Sequence, residues 1–465
     1  MDTIAAIATP FGSAGIGIVR ISGDHAKSIL LRLFRSKTEF HPADSDPATS
    51  PVLTSHRLMH GYIYDPASSE VVDEVLAVYM VAPNSYTRQD VVEIQSHSGF
   101  LLLQKILSLV LLHGARLAEP GEFTRRAFLN GRIDLSQAEA VIDMIQARSE
   151  QGLRLASNQL QGWMKQHINI LIEHLTDICV QLQAGIEFPD EIDGNCCAAQ
   201  FDGTIKSDLI ASIQQLLSNY QSSHVFRDGV RFGIVGRPNV GKSSILNRLL
   251  QSSKAIVTPY PGTTRDPVEG FVQIKGIPIL FADTAGLHSS ADPIEQIGMQ
   301  KTRECIEQAD FIFFVVEAHQ PVSEEDRLIF QQVSHKKVVL LINKIDLVSA
   351  PPRRSSLEFP SLSVVPVSAR TGEGLSDLKD SILSVLSAAP ISSAHESVPT
   401  VRQKKALESA LGFLLSAEQA IDQGMPDDLI LHDLEAANSE LKTIVGQSVP
   451  TDLLDEIFSR FCIGK

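Results

Sequence analysis

Residues 230–250 read VRFGIVGRPNVGKSSILNRLL, and this stretch decides the fold of the middle of the chain. The apolar run at its start predicts a strand, and residues 245–250 are typical of a helix. Between them, Gly236 to Ser243 match G-x-x-x-x-G-K-S, the pattern of a phosphate-binding P-loop, which requires this strand-loop-helix context. Its glycines let backbone N–H groups surround phosphates at a helix N-terminus, while Lys242 reaches phosphate oxygens and the Ser243 hydroxyl binds Mg²⁺.

Apolar runs alternate with helix-length segments around this loop, as is typical of a doubly wound parallel α/β sheet. These runs are residues 230–235, 277–282, 311–316, 338–342 and 362–367. Before residue 132, short apolar stretches between turns indicate an α+β domain. Helical periodicity begins at Leu135, where Ser136 and Glu139 have the spacing of a capping box, and it returns at residues 400–461. An α/β domain inserted into a helical domain is therefore predicted.

The base is predicted by the segment after the run 338–342, Asn343-Lys-Ile-Asp346. The Asp346 carboxylate can accept hydrogen bonds from both the ring N–H and the amino group of guanine, a donor pair that adenine lacks. Ser368-Ala-Arg370 follows the next strand, where a backbone N–H can meet the guanine oxygen. After a P-loop, this order selects GTP over ATP.

Two further segments have the positions of γ-phosphate sensors. They are Gly262-Thr-Thr-Arg-Asp266, whose Thr264 can close on Mg²⁺, and Asp283-Thr-Ala-Gly286. Leu287 then stands where many GTPases have the Gln that orients the attacking water, so hydrolysis needs another acid and an extra cation. Glu295 is the candidate acid, although a solvated helix residue is the more common role for such a glutamate.

Composition excludes several classes of protein. The 465 residues suggest about three domains, and the longest apolar runs are strand-sized, so no membrane span is expected. No Lys or Arg precedes Arg20, so neither a signal peptide nor a transit peptide is expected, and a cytoplasmic location is predicted. Five irregularly spaced cysteines predict reduced thiols. The net charge of −15 argues against bulk nucleic-acid binding, so a polyanion should meet a local basic surface, for which Arg125, Arg126 and Arg132 are candidates.

Across its whole length the sequence resembles the MnmE family, also called TrmE, of tRNA-modifying GTPases. The resemblance rests on Gly17 to Gly23, Pro83 to Thr87 with Asp90 to Glu93, Pro120 to Phe123, Arg126 to Asn130 and the terminal Phe461-Cys-Ile-Gly-Lys465. It implies four segments: an N-terminal tetrahydrofolate-binding and dimerisation domain (1–132), a helical domain in two parts (133–222 and 391–465), and an inserted Ras-like GTPase domain (223–390).

The resemblance also implies a function. It implies a homodimer that, with the FAD-binding protein MnmG and in a heterotetramer, adds a carboxymethylaminomethyl or aminomethyl group at C5 of the wobble uridine of certain tRNAs. A tetrahydrofolate derivative, in the 5-formyl or 5,10-methylene form, supplies the one-carbon unit, and potassium assists GTP hydrolysis.

Site residues follow from the motifs together with the resemblance. The resemblance implies that Arg20, Glu93, Arg132 and Lys465 bind the folate and that Glu295 is the catalytic acid. Cys462 is implied in the modification chemistry, although residue chemistry alone favours a buried structural thiol there. The motifs assign magnesium to Ser243 and Thr264, and the resemblance implies that Asn239, Thr258, Tyr260 and Thr263 bind potassium. The predicted GTP-binding residues are Asn239, Val240, Gly241, Lys242, Ser243, Ser244, Thr258, Pro259, Tyr260, Pro261, Gly262, Thr263, Thr264, Asp283, Thr284, Ala285, Gly286, Asn343, Lys344, Ile345, Asp346, Ser368, Ala369 and Arg370.

Two other functions stay open at this stage. One is a GTP switch in ribosome assembly, although such proteins usually add an RNA-binding module and no basic Gly-x-x-Gly segment is present. The other is a dimerising scaffold that hydrolyses GTP slowly. Binding of a folate derivative by residues 1–132 would separate both from the modification enzyme.

Overall fold

The structure, a computed structural model, describes residues 2–10, 12, 14–36, 53–188, 202–252, 268–283, 306–349, 359–361, 363–386 and 398–465. The chain divides into two compact units. The first comprises Met1–Ile142 with Leu441–Lys465, and the second comprises Asp143–Glu440. The end of the chain thus packs with the N-terminal unit, although sequence periodicity alone had joined it to the helical segment before it.

Thirteen strands are present in the described residues and form two sheets. The first sheet has the order β3-β4-β5-β6-β2-β1-β7, and the second has the order β13-β12-β11-β8-β10-β9. The strands are β1 (Ile4–Ile7), β2 (Ala14–Ser22), β3 (Phe34–Ser36), β4 (Leu58–Asp65), β5 (Glu70–Met80), β6 (Val91–Ser98), β7 (Arg116–Leu117), β8 (Val230–Val235), β9 (Val268–Ile274), β10 (Ile277–Asp283), β11 (Phe311–Glu317), β12 (Lys337–Asn343) and β13 (Ser363–Pro366).

The helices of the described residues are α1 (Ala26–Leu33), α2 (Phe100–Leu112), α3 (Glu122–Leu129), α4 (Leu135–Gln146), α5 (Glu150–Leu160), α6 (Trp163–Glu187), α7 (Asp202–Thr204), α8 (Ala211–Asp228), α9 (Lys242–Ser252), α10 (Glu324–Val333), α11 (Leu375–Leu386), α12 (Val401–Asp422), α13 (Asp427–Val445) and α14 (Thr451–Ser459). A π-helical segment, Ile205–Ile210, joins α7 to α8, and a 3₁₀ turn spans Ile345–Leu347. None of these helices combines the length and the apolar character that crossing a membrane requires.

The first sheet is antiparallel except for the β1–β7 pair. Buried and more exposed side chains alternate along its strands, because successive side chains of a strand point to opposite faces of the sheet. In β2, Val19 and Ile21 are fully buried in a core that also contains residues of α1 and α2, whereas Arg20 between them keeps some exposure. Arg20 is paired in register with Glu93 of β6, so two charged side chains stand together on the other face. The alternation therefore positions the first candidate site.

Helix α4 begins with a capping box, but not at the predicted residues. Asp134 Oδ1 accepts from Gln137 N at 2.9 Å, and Asp134 N donates to Gln137 Oε1 at 3.0 Å. Ser136 Oγ instead donates to Asp134 Oδ1 at 2.6 Å. The prediction that Ser136 and Glu139 form the capping box was therefore wrong by two residues. The Asp134 carboxylate lies just before the first helical residue and accepts the hydrogen bond of the Gln137 amide, which has no partner within the helix.

The second sheet is parallel except for one edge. Strands β13, β12, β11, β8 and β10 run parallel, as the βαβ alternation predicted. Strand β9, which the sequence analysis did not predict, pairs antiparallel with β10 at the sheet edge. Parallel strands buried on both faces bring their carboxyl ends to one edge, where ligands of this fold class bind. The P-loop and Ser368 follow strand ends at that edge, and Asn343 is the last residue of β12.

Candidate functional site: a guanine-nucleotide loop and a docked C-terminal tail

The P-loop follows β8 and leads into α9, whose first residue is Lys242. Gly241 has a φ of +97°, and a Cβ added there would lie 2.2 Å from Asn343 Nδ2, so only glycine fits. Lys242 Nζ donates to the carbonyl oxygens of Gly236 at 2.7 Å and Arg237 at 2.8 Å. The ammonium thus lies inside the loop that would surround the phosphates.

Asn343 joins the P-loop to the base-binding segments. Its side chain is 1% exposed, donates from Nδ2 to Val240 O at 2.7 Å, and accepts at Oδ1 from Ala369 N at 3.1 Å. A buried amide with both ends satisfied fixes two loops at once. The three segments predicted to bind the nucleotide therefore converge in the structure.

Asp346 is exposed, and Ser368 Oγ donates to its Oδ1 at 2.7 Å. Ser368 is fully buried and also accepts at Oγ from Thr371 N at 3.1 Å. The serine thus holds the carboxylate in one orientation and leaves its other oxygen toward solvent, where a guanine edge can meet it. Ile345, Ala369 and Arg370 lie in the same two loops.

The remaining residues predicted to bind the nucleotide fall into two groups. Some lie at the P-loop or at the end of β10, and the others lie outside the part of the chain that the structure describes. Asn239 is exposed at the P-loop with a φ of +62°, and Ser243 and Ser244 stand in the first turn of α9. The backbone of Asp283 ends β10. Thr258, Pro259, Tyr260, Pro261, Gly262, Thr263, Thr264, Thr284, Ala285, Gly286 and Glu295 lie outside the described residues.

Two ion pairs around the nucleotide loops were missed by the sequence analysis. Arg237 Nε lies 2.8 Å from Asp326 Oδ1, and the Asp326 side chain is 1% exposed in the first turn of α10. Lys344 Nζ pairs with Glu317 at the end of β11. Sequence offered no signal for either partner, because each carboxylate is far from its cation along the chain.

The first unit brings Arg20, Glu93 and the tail together. Arg20 Nε donates to Glu93 Oε1 at 2.8 Å, and both side chains are largely buried. Arg20 Nη1 donates to Gly464 O at 3.3 Å, and Phe123 N donates to Lys465 O at 3.2 Å. Residues 462–465 are therefore held against the N-terminal sheet of the same chain.

Gly464 makes this docking possible. Its φ is +96°, and a Cβ there would lie 2.4 Å from Ile7 O of β1. Burial, followed by the nearby Arg20 charge, lowers the pKa of the Lys465 ammonium, while Cys462 and Glu93 oppose this shift. The Cys462 side chain is exposed, so the alternative of a buried structural thiol is wrong.

Tyr86, which the sequence analysis did not assign to the site, contacts two of the predicted folate residues. Its ring centre lies 5.5 Å from Arg20 Cζ and 4.6 Å from Arg132 Cζ, both within the range of cation–π attraction. The Tyr86 hydroxyl is 2.9 Å from Thr124 Oγ1. Tyr86 belongs to the segment Pro83 to Thr87, on which the family resemblance rests. Its aromatic side chain in that segment was the sequence signal that could have assigned it to the site.

Two of the three arginines predicted to form a basic surface are engaged elsewhere. Arg126 is buried, with Nη2 2.7 Å from Asp2 Oδ1 and 2.9 Å from Glu122 Oε1. Burial raises the pKa of the Glu122 carboxyl, but its hydrogen bonds with Arg116 and Arg126 outweigh this and hold it below its usual value. Arg125 pairs with Asp455 of α14 at 2.9 Å. That prediction was wrong for Arg126, because satisfying the buried Glu122 carboxylate requires its charge.

Comparison with known proteins gives a consistent result over the whole chain. The family described as GTP-binding protein TrmE N-terminus matches residues 3–132, and the MnmE helical domain matches residues 135–462. The tRNA modification GTPase MnmE of Carboxydothermus hydrogenoformans is 43% identical over 472 residues, covering 100% of this chain and 99% of the relative. That of Chloroflexus aurantiacus is 42% identical over 467 residues and covers 100% of both.

Among solved structures, Era of Aquifex aeolicus bound to GDP and aluminium fluoride is 29% identical and covers 40% of this chain and 67% of its own, with a TM-score of 0.28. The G domain of FeoB from T. maritima is 30% identical and covers 33% and 97%, with a TM-score of 0.26. These scores carry no argument about the fold, which rests on the strand order and the P-loop.

Proposed function

Because this chain belongs to the MnmE family of tRNA modification GTPases, we propose that its GTPase activity serves one reaction on tRNA: addition of a carboxymethylaminomethyl or aminomethyl group at C5 of the wobble uridine. A tetrahydrofolate derivative, in the 5-formyl or 5,10-methylene form, supplies the one-carbon unit. A cytoplasmic homodimer of the chain acts with the FAD-carrying protein MnmG in a heterotetramer. The four-segment domain division, with boundaries at 132, 222 and 390, belongs to the same proposal.

The observation that carries the proposal is the docking of Gly464 and Lys465 beside Arg20 and Glu93. A GTPase that only switches between two nucleotide states has no use for a C-terminal tail at a second, charged site. Chain ends usually fray, whereas this one is held by backbone hydrogen bonds to Gly121 and Phe123. The tail therefore supports a second chemistry, separate from the nucleotide.

The nucleotide site fits GTP and its metal ions. When GTP binds, Lys242 exchanges the carbonyl oxygens of Gly236 and Arg237 for phosphate oxygens. Ser243 and Thr264 would hold Mg²⁺, and Asn239, Thr258, Tyr260 and Thr263 would hold K⁺, because hydroxyl, amide and carbonyl oxygens are the ligands of hard cations. Bound there, the ions would supply positive charge to offset that of the phosphates, and Glu295 would orient the attacking water.

The residues of the second site fit a folate. The pterin ring has amide-like N–H groups, which a carboxylate such as Glu93 can accept, and the glutamate end is anionic and suits Arg20, Arg132 and Lys465. Cys462 lies three residues before Lys465, and its thiol is free and exposed. Cys462 is therefore the candidate nucleophile of the modification reaction.

The test is tRNA modification by the full chain with MnmG, GTP, K⁺ and 5,10-methylenetetrahydrofolate. Cys462→Ser should abolish product formation and leave the rate of GTP hydrolysis unchanged, because the thiol belongs to the first unit and the P-loop to the second. Cys179→Ser, at a buried cysteine of α6, is the matched control and should retain both activities. Normal tRNA modification by Cys462→Ser would remove the cysteine from the chemistry.

A further inference from the structure

An open groove of about 460 Å³ lies next to the Arg20–Glu93 pair in the first unit. Tyr86 is common to both, since its ring contacts Arg20 and also lines the groove. The volume is within the range of small-molecule sites. The lining residues are His56, Met80, Pro83, Asn84, Ser85, Tyr86, Arg88 and Arg132.

The charge of the groove has one sign. Arg88 and Arg132 are cations, and within the described part of the chain no carboxylate lines the groove. This contrasts with the neighbouring arginines 116, 125 and 126, each of which pairs with an Asp or Glu side chain. Two guanidiniums over a pocket of this size indicate an anionic ligand.

The loop that carries the groove is held in place before any ligand binds. Asp90 accepts from Tyr79 OH at 2.6 Å and from Ala82 N at 3.0 Å, which fixes the start of the loop. Burial and the Asp90 carboxylate raise the pKa of Tyr79 to about 12, so the hydroxyl keeps its proton for this bond at neutral pH.

The other end of the loop is fixed to the residues before Arg132. Arg88 Nη1 donates to Asn130 O at 3.0 Å, and Asn130 Nδ2 donates to Thr87 O at 2.6 Å. Only one of the five guanidinium N–H donors of Arg88 is needed for that bond. The two arginines are thus set by one pair of loops, and a preorganised site loses less entropy on binding.

We propose that this groove binds the γ-linked glutamate tail of a folate whose pterin ring lies at Glu93, and that Arg88 selects ligands with several γ-glutamyl residues. The inference rests on the proposed folate function. Each added γ-glutamyl residue brings one more carboxylate, so a longer tail places more negative charge beside Arg88 and Arg132. A nucleic-acid strand would need a longer basic track, and the carboxylates paired with the neighbouring arginines interrupt one here.

The experiment measures binding of two probes to the full chain: 5-formyltetrahydrofolate with one glutamate and with three. The triglutamate should bind about fivefold more tightly, as expected for two partly exposed ion pairs, and raising the salt concentration should reduce this ratio. Arg88→Gln removes one of the two pairs and should reduce the ratio to about twofold, and Arg88→Lys should keep most of it. Arg32→Gln, at an exposed arginine of α1 outside the groove, is the matched control and should keep the full ratio.

The outcomes separate the two proposals. If neither probe binds to the wild-type chain, the folate function itself is wrong. If both bind with equal affinity, or if Arg88→Gln keeps the wild-type ratio, the folate function stands and the tail site is refuted. A loss of tRNA affinity in Arg88→Gln with an unchanged ratio would assign the groove to RNA instead.

Discussion

Asp346 has its carboxylate oriented before a nucleotide arrives, because Ser368 Oγ donates to one of its oxygens. In Asp346→Asn, an N–H donor would face the N–H donors of guanine. Affinity for GTP should fall about 100-fold, as when one partner of a charged hydrogen-bonded pair is lost. Xanthosine triphosphate, which presents a carbonyl there, should become the preferred ligand.

Competition binding with the two triphosphates measures this preference. Asp380→Asn, at an exposed aspartate of α11, removes the same charge from the same unit and should leave GTP affinity unchanged. Wild-type affinity for GTP in Asp346→Asn would show that another group reads the base.

The P-loop and α10 are connected by one ion pair. Asp326 accepts from Arg237 through Oδ1 and from Ser323 N and Oγ through Oδ2, so a single carboxylate caps the helix and positions the loop. Arg237→Ala would leave a buried charge without its cation, at a cost of about 1–3 kcal/mol. Part of this cost should appear as roughly tenfold weaker binding of both GTP and GDP, because the ion pair with Asp326 holds the P-loop in place.

A double-mutant cycle tests this connection. Asp326→Asn combined with Arg237→Ala should be no worse than Arg237→Ala alone, since the unpaired charge is gone. Arg327→Ala is the matched control, because its pair with Glu324 is on the exposed side of the same helix, and nucleotide affinity should not change. Strictly additive losses would mean that Arg237 and Asp326 act independently.

The chain has Leu287 where many GTPases have the Gln that orients the attacking water. GTP hydrolysis therefore needs groups from other parts of the molecule. We expect K⁺ to raise the GTPase rate at least about tenfold over Na⁺, with two GTPase domains pairing in the process, because a cation must offset the charge between the β- and γ-phosphates. Glu295→Ala should remove most of the activity and leave nucleotide affinity nearly unchanged.

Steady-state rates in the two salts, with nucleotide affinities measured in parallel, test both expectations. Glu325→Ala, at an exposed glutamate of α10, is the control and should hydrolyse GTP at the wild-type rate. Equal rates in K⁺ and Na⁺ would exclude the role of the cation, and a fully active Glu295→Ala would exclude that of the acid.

The nucleotide-binding edge of the second sheet could be predicted from local sequence motifs. P-loop and base-binding motifs are local: their glycines, lysine and aspartate act within a few residues of the strand ends that carry them, so spacing alone predicts the geometry. The apolar runs predicted the five parallel strands. Strand β9 was missed because an edge strand that pairs antiparallel lacks the continuous apolar run of its buried neighbours.

Contacts between residues far apart in the sequence could not be predicted and became visible in the folded chain. Arg20 reaches the carbonyl of Gly464 across 444 positions, Tyr86 lies beside both Arg20 and Arg132, and Arg237 pairs with Asp326. Arg126 and Arg132 are close in sequence, yet the first is buried in ion pairs and the second lines a groove. The two arginines carry the same charge, so the sequence does not distinguish them. Which carboxylate each arginine contacts depends on how the sheet and the tail pack, because burial makes an unpaired charge costly.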